Sequence, residues 1–561
     1  MAFVVKKKIN NNEYYYLNEN QRVDGKVKTK TLAYLGKTKK DADKKAKEII
    51  KKMKPKENNS NVVGKDVREE RKLVHEKLSI EELANFCKRK GFVYQSSEIY
   101  GGFAGFWDFG PLGTELFKNL KDNWWNHFVR QKENMVGIDA SIISHPRTWK
   151  ASGHIENFNV NDYLVGCKKC KKLSKVDKPD LGKIKCESCG GELNWDNAKV
   201  VEQMFRTSVG SNGEDVYLRG ETAQGMFMNF KLVHQTSRMK LPFGIAQLGR
   251  CFRNEVAPRD FLFRCREFHI GEFEFFISPD DEGCNLLTKE HLNLKLNLLD
   301  AETQTTGGDE LKKTMISEML NKKKLEEWHA YWLAEQIIWF RNLGLEEIKI
   351  REHKKDELSH YSSATFDIDY DYPFGSKEVA GNANRGQYDL MQHQKESGES
   401  FEIVDDKTGK KVLPRVIEPT FGIERVFLAL LSKSYCKNQK GETVLRLHPS
   451  LAPVKAAVFP IVRTNEKIVN ISREIYENLK KEFNVIYDSG GSVGRRYARN
   501  DEIGTPFCVT VDEESLNKKS VTIRDRDSAK QIRVKISELK DVLKKLIFGE
   551  IEFEKSGEIV K

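Results

Sequence analysis

Apolar and polar positions alternate with a period of two through residues 247–276, QLGRCFRNEVAPRDFLFRCREFHIGEFEFF. This pattern predicts two strands joined by a loop near Ala257-Pro258-Arg259-Asp260. On the incoming strand Arg253 and Glu255 share a face. On the outgoing strand Arg264, Arg266, Phe268, Glu272 and Glu274 share a face, and Phe261, Phe263, Phe273 and Phe275 mostly point the other way. Strands this rich in Phe and Cys belong in a core, where a charge without a partner is costly. The charged face therefore calls for internal ion pairs or for a charged ligand. Arginines, a ring and carboxylates on one face suit a nucleotide, with guanidinium groups forked onto phosphate and the ring stacked on a base. A salt-bridged sheet surface would use the same residues.

The same patterning divides the rest of the chain. Alternation through Tyr14-Tyr15-Tyr16-Leu17, a turn at Asp24-Gly25 and the alternating KVKTKTLAYLGK predict a hairpin. DADKKAKEIIKKMK from Asp41 reads as a basic helix, followed by a linker rich in Asn and Lys. Ser79-Ile80-Glu81-Glu82 is a capping box that opens a helix ending before Gly91. RGETAQG, Arg219 to Gly225, ends a strand and starts a helix, and residues 280–345 read as a helical, Lys/Leu-rich insertion. From about Leu451 strands alternate with helices, which predicts a small α/β domain. Gly-Arg-Arg-Tyr-Ala-Arg within it reads as a glycine turn leading into a basic helix.

At 561 residues the chain is too long for one core. No run of 18 apolar residues is present to span a membrane, and MAFVVKKK lacks the apolar stretch of a signal peptide. Ten cysteines at this length point to a reducing cytoplasm. The net charge of +12 is concentrated at the start, where residues 1–56 hold 17 Lys and Arg against 6 Asp and Glu. That segment carries +11 and leaves the remainder near neutral, so a nucleic-acid argument from charge belongs to the N-terminal piece. Basic strands with interleaved tyrosines suit RNA phosphates and base stacking, and also suit a solvated appendage.

Cys167-x-x-Cys170 and Cys186-x-x-Cys189 present two pairs of thiols fifteen residues apart. Each pair fits a tight turn, and four thiolates close a tetrahedral structural zinc shell; two disulfides are the alternative. The surrounding loop is rich in Lys and Gly and short of apolar residues, so a metal would stand in for a core. The expected insertion spans residues 163–198.

Arg253-Asn254-Glu255 followed by Arg264-x-x-x-Phe268 resembles motif 2 of the class II aminoacyl-tRNA synthetases. EPTFGIERVFLALL, with Gly422 and Arg425, is similar to their motif 3, and GFWDFGPLGTELFKNLKDNWW around Pro111 to their motif 1. SSEIYGGFAGFWDFGPLG, WKASGHIENF, RGETAQGMF, REFHIGEFEFF and the Glu-Pro-Thr before motif 3 resemble the glycyl-tRNA synthetases in particular. The resemblance runs from about Ser79 to about Asp527.

What it implies is an α+β protein. Residues 61–450 would form a class II catalytic domain on an antiparallel sheet, residues 451–561 an anticodon-binding domain, and residues 1–57 a small basic extension. The implied reaction is glycine activation with Mg2+ and ATP to glycyl-adenylate, with transfer to tRNA(Gly), in a homodimer built on the Pro111 helix. A buried amphipathic helix would account for the motif 1 residues equally well. By the same resemblance the catalytic residues are Arg253, Arg264 and Arg425. ATP would meet Arg253, Asn254, Glu255, Arg264, Phe268, Gly422 and Arg425, and glycine would meet Glu221, Glu272, Arg385, Glu418 and Thr420. Gly220, Gln387 and Thr420 depart from the family, which usually has Pro or Thr, Asp, and Ser at these places. A class II synthetase for another amino acid, or a non-catalytic relative that keeps the fold, are the competing readings. The three motif arginines argue against the second.

Overall fold

A computed structural model of the chain describes residues 2–9, 12–23, 26–36, 38, 39, 42, 45, 46, 72–76, 78–158, 162–177, 182–200, 202–281, 283–359 and 361–560. The chain divides into two units, residues 1–69 and 70–561. The first is an antiparallel sheet in the order β1 (Ala2–Ile9), β2 (Asn12–Val23), β3 (Lys26–Gly36). The expected hairpin is therefore β2–β3, and β1 adds a third strand, with Val5 opposite Tyr16. Its lysine run, Lys6 to Lys8, hides the strand from a hydrophobic pattern, and an edge strand tolerates such charges. Tyr15, Leu17 and Leu35 bury one face of the sheet against Ala42 and Ala46. The Asp24-Gly25 turn, most of the expected basic helix and the linker lie outside the described residues.

In the second unit a short strand, Leu73–His75, precedes α1 (Ile80–Lys90), where both bonds of the Ser79–Glu82 capping box form and Gly91 closes the helix with φ 78°. Helix α2 (Pro111–Trp125) carries its proline in the first turn. The main sheet has nine strands: β4 (Met135–Gly137), β5 (Phe243–Phe252), β6 (Glu267–Ile277), β7 (Lys295–Leu299), β8 (Lys312–Met315), β9 (Lys349–Glu352), β10 (Ala364–Tyr372), β11 (Gly375–Gly386) and β12 (Arg415–Gly422). Their spatial order is β8-β7-β9-β10-β11-β12-β6-β5-β4. All pairs are antiparallel except β4–β5 and β7–β9.

Alternation along β6 sets the two layers. Phe273 and Phe275 stack on Trp332 and Trp328 of α4 (Glu327–Asn342), with ring centroids 4.6 and 4.8 Å apart. The even-numbered side chains face the other way, toward α3 (Ala223–Ser237), whose Phe230 meets Phe276 at 4.3 Å. Both faces of the strand are buried, so Glu272 and Glu274 lie inside the protein.

Strand β5 ends at Phe252 and β6 begins at Glu267, so the loop between them spans residues 253–266, and Arg253, Glu255, Arg264 and Arg266 belong to it rather than to a strand. Positive φ at Asp260 and Phe261 and a 3-10 turn at Phe261–Phe263 break the ladder that simple alternation extends. The region 280–345, read as helical, supplies β7 and β8 to the sheet edge besides α4. Its Lys/Leu composition conceals the period of two at Leu296 and Leu298, which are buried.

Residues from Ala456 onward form a six-stranded mixed sheet: β13 (Ala456–Pro460), β14 (Val485–Tyr487), β15 (Phe507–Val511), β16 (Ser520–Asp525), β17 (Gln531–Lys535) and β18 (Glu558–Ile559), ordered β14-β13-β15-β16-β17-β18. Buried Arg526 donates to the carbonyl of Gly504 within this part and to that of Leu447 ahead of it, each at 2.8 Å, and the second bond ties this part to the strand-rich body. No helix among the described residues is long and apolar enough to cross a membrane.

Candidate active site

The β6–β12 ladder builds the site. Glu272 pairs with Thr420 and Ile270 with Gly422, and β11 places Ala383 opposite Glu418. Gly422 then ends β12 and leads into α5 (Ile423–Ser434), which brings Arg425 into the first helical turn. A side chain at Gly422 would bring its Cβ to 3.1 Å from Cδ of Arg425, so glycine there lets the arginine fold back across the strand end.

Arg253, Glu255, Arg264, Phe268, Thr420, Gly422 and Arg425 line one cavity of about 140 Å³. Glu255 accepts from Nε of Arg264 at 2.7 Å, and Arg425 pairs with Glu378 at 3.1 Å while lying 4.5 Å from the centre of the Phe263 ring. Arg253 donates to the Gly220 carbonyl at 3.1 Å and sits 5.5 Å from the centre of the Phe268 ring. Two of the three arginines thus rest on carboxylates at the cavity wall, and an incoming polyphosphate would exchange with those carboxylates. Asn254 does not line the cavity: its backbone N–H and its side chain are taken by the carbonyls of Gln203 and Glu202.

Behind Thr420 lies a nest of buried acids. Glu272 accepts hydrogen bonds from the hydroxyls of Thr222 (2.6 Å) and Thr420 (2.8 Å). Glu221 accepts from Nε2 of His154 at 3.0 Å and from Gln224 at 2.9 Å. Arg385 forks onto Asp389 with two bonds of 2.8 Å and also donates to Glu418, under the ring of Tyr361 at 3.8 Å. All five residues expected to meet glycine are therefore brought together. Glu221 also borders a neighbouring cavity of about 460 Å³ floored by Arg219 and α3.

Sequence reasoning assigned no role to Glu274. It is fully buried, its carboxylate lies within 4.8 Å of those of Glu272 and Glu418, and neither of its oxygens has a hydrogen-bond partner among the described residues. The period of two did place it beside Glu272. Nor were His154, Thr222, Gln224 and Asp389 singled out, because their roles come from partners far away in sequence. Burial, then the Glu418 charge, pushes Glu274 well above the ordinary carboxylate range, and burial pushes Glu418 up to about 8 despite Arg385. Glu272 is raised by burial and by Glu221. Burial acts on Glu221 too, but His154 and Arg385 outweigh it and hold that group below the usual range. Glu274 and Glu418 are therefore pushed toward their neutral forms while Glu221 is held as the carboxylate, which leaves the nest an anionic group to meet a cation.

The four zinc-type cysteines also converge. Sγ of Cys167 lies 3.5 Å from that of Cys189, Sγ of Cys170 lies 3.6 Å from that of Cys186, and all four fall within 4.8 Å of one another. These separations are too long for disulfides, whose sulfurs are ~2.05 Å apart. They approach the ~3.8 Å edge of a tetrahedron with metal–sulfur bonds of ~2.3 Å.

Comparison with known proteins gives independent bearings. The family model for an anticodon binding domain matches residues 455–546, and the model for the N-terminal domain of the IS1634 family of transposases matches residues 3–65. The glycine–tRNA ligase of Geobacillus thermodenitrificans is 42% identical over 84% of this chain and 98% of its own length. The ligase of Bacillus cereus is 40% identical over 84% of this chain and 99% of its own length, and that of Treponema denticola 40% over 82% and 96%. With identity at this level across nearly the whole of each relative, the chain belongs to the glycine–tRNA ligase family.

Proposed function

We propose that the arginine-lined cavity binds ATP and the acid nest behind it binds glycine, with Thr420 at the border between them. The enzyme is an aminoacyl-tRNA synthetase that charges tRNA(Gly) with glycine. The assignment of residues rests on one observation: Thr420 lines the arginine cavity and also donates to Glu272 of the nest.

In this reading the glycine carboxylate, with a pKa of about 3.5, enters already ionised and needs no general base. One of its oxygens attacks the α-phosphorus of ATP, supplied as the magnesium complex, and the bond to the β-phosphate oxygen breaks to release pyrophosphate. The protein's task is to hold two anions in line and to offset the charge that builds on phosphorus. Arg253 meets the α-phosphate and the carboxylate, and Arg264 and Arg425 leave Glu255 and Glu378 for the γ-phosphate. Phe268 stacks on adenine and the freed Glu255 accepts from its amino group. Glu221, Glu272 and Glu418 read the ammonium, and Arg385 and Thr420 orient them. A terminal ribose hydroxyl of tRNA then attacks the carbonyl, losing its proton as AMP departs. No amino acid is smaller than glycine, so walls that clash with any side chain suffice for selection.

We also assign a structural zinc to Cys167, Cys170, Cys186 and Cys189, where it would add to a small core of Val165, Val176 and Leu193 that the sequence reading did not expect. Motif 1 at Pro111 supports a homodimer, and a cytoplasmic setting suits the reduced thiols. The division into residues 1–57, 61–450 (with insertions 163–198 and 280–345) and 451–561 belongs to the same reading. Amino-acid-dependent ATP–pyrophosphate exchange across all twenty amino acids tests the site. Exchange with glycine alone is expected. Exchange with a larger amino acid would overturn the assignment of the nest.

A further inference from the structure

The N-terminal sheet has two unlike faces. Tyr15, Leu17 and Leu35 turn inward to Ala42 and Ala46. The residues that alternate with them put three tyrosine rings side by side: Tyr14 and Tyr16 on β2, and Tyr34 on β3 as the cross-strand partner of Tyr16. Ring centroids are 5.3 Å apart for Tyr16–Tyr34 and 6.3 Å for Tyr14–Tyr34. Tyr34 is 51% exposed, and Tyr14 and Tyr16 are half-buried. The exposed Tyr34 ring is not needed for the core of this unit, which the opposite face supplies. The segment that carries it holds +11 of the chain's net charge of +12.

We infer that this tyrosine face is a stacking platform for unpaired nucleotides of the tRNA that the enzyme charges. Three features select that occupant. The positive charge matches a polyanion and is worth most to a partner with closely spaced phosphates. Rings on an open sheet face stack on splayed bases, which a duplex does not expose. The relatives are covered over 96–99% of their own length by 82–84% of this chain, so this chain carries length that they do not match. Stacking needs no particular base, so the platform would raise affinity rather than choose among sequences. This inference rests on the tRNA ligase reading, which pyrophosphate exchange checks separately because that step needs no tRNA.

The test uses the full-length protein and its Tyr34→Phe and Tyr34→Leu variants, with binding of tRNA(Gly) measured beside glycine-dependent exchange. Tyr34 is half exposed, so neither change opens a cavity. Stacking predicts that Tyr34→Phe binds within about twofold of wild type and that Tyr34→Leu binds at least about fivefold more weakly, with exchange unchanged in both. A single-stranded RNA 12-mer should compete for the site and a 12-base-pair RNA duplex should compete poorly. Equal tRNA affinity for wild type and Tyr34→Leu would overturn the proposal. So would equal losses in Phe and Leu, which would mark a hydroxyl contact, or a duplex that competes as well as the single strand.

Discussion

Arg253 differs from its two neighbours in what holds it. Arg264 and Arg425 each rest on a carboxylate, whereas the described bond of Arg253 in the cavity is to the uncharged carbonyl of Gly220. An incoming α-phosphate would meet this guanidinium beside the Phe268 ring. Arg253→Ala is expected to lower kcat/KM for glycine-dependent exchange by about 10²–10³-fold, the usual loss on removing one charge-stabilising donor. Turnover near that of wild type would exclude Arg253 from the reacting centre. Glu274 gives a second prediction, on stability. The unfolded chain releases its proton near the ordinary value of 4.5, while the folded protein retains it to much higher pH because the group is buried beside Glu418. Between those values the folded state binds more protons than the unfolded state, so raising the pH costs stability. Glu274→Gln removes that cost while keeping shape, and should raise Tm at pH 8 more than at pH 5. An equal change at both pH values would show that Glu274 is ionised in the fold. Glu272 and Glu274 were equally legible as neighbours on one strand face. The sequence could not tell that Thr222 and Thr420 would both turn to Glu272 and leave Glu274 without a donor, since neither threonine is near in the chain.

At the scale of elements, legibility follows how local the cause is. The α1 capping box lies within four residues and forms as read, with bonds of 2.9 and 3.2 Å. Ser79→Ala should cost about 1 kcal/mol of stability, measured by denaturant unfolding, with the slope of the transition unchanged. The strands of the β5–β6 hairpin were equally readable, because alternating Phe and Glu mark both faces. Its loop was not, because the positive φ at Asp260 and Phe261 belongs to two residues that rarely adopt it. Alternation alone thus extends the strand to Arg264, whereas this residue lies in the loop and meets Glu255 there. The cysteine loop lies between these cases. Spacing alone left zinc and disulfides open, and the 3.5 and 3.6 Å sulfur separations favour the metal. Elemental analysis should give about one zinc per chain. Cys186→Ser should lower that content and raise protease cleavage within residues 163–198, whereas retention of full zinc would take Cys186 out of the ligand set.

At the scale of the whole molecule, the two contact units separate charge from chemistry. Every residue placed at the ATP cavity, the acid nest and the cysteine cluster belongs to the unit of residues 70–561. The first unit has its own small core of Tyr15, Leu17, Leu35, Ala42 and Ala46, and it holds nearly all of the net charge. Removing residues 1–69 should therefore leave glycine-dependent exchange within about twofold of wild type, since no described group at the site is lost. Charging of tRNA should respond differently. Binding that depends on counterion release weakens with salt in proportion to the phosphates contacted, with a slope of roughly 0.7–0.9 per contact. A truncated enzyme that has lost phosphate contacts should show a higher KM for tRNA and a shallower salt dependence, with kcat for transfer unchanged because the acceptor end still meets the same catalytic unit. An unchanged salt slope would mean that the +11 segment makes no phosphate contact. A loss of exchange would mean instead that the first unit supports the fold of the second, and the separation of charge from chemistry would then fail at its root.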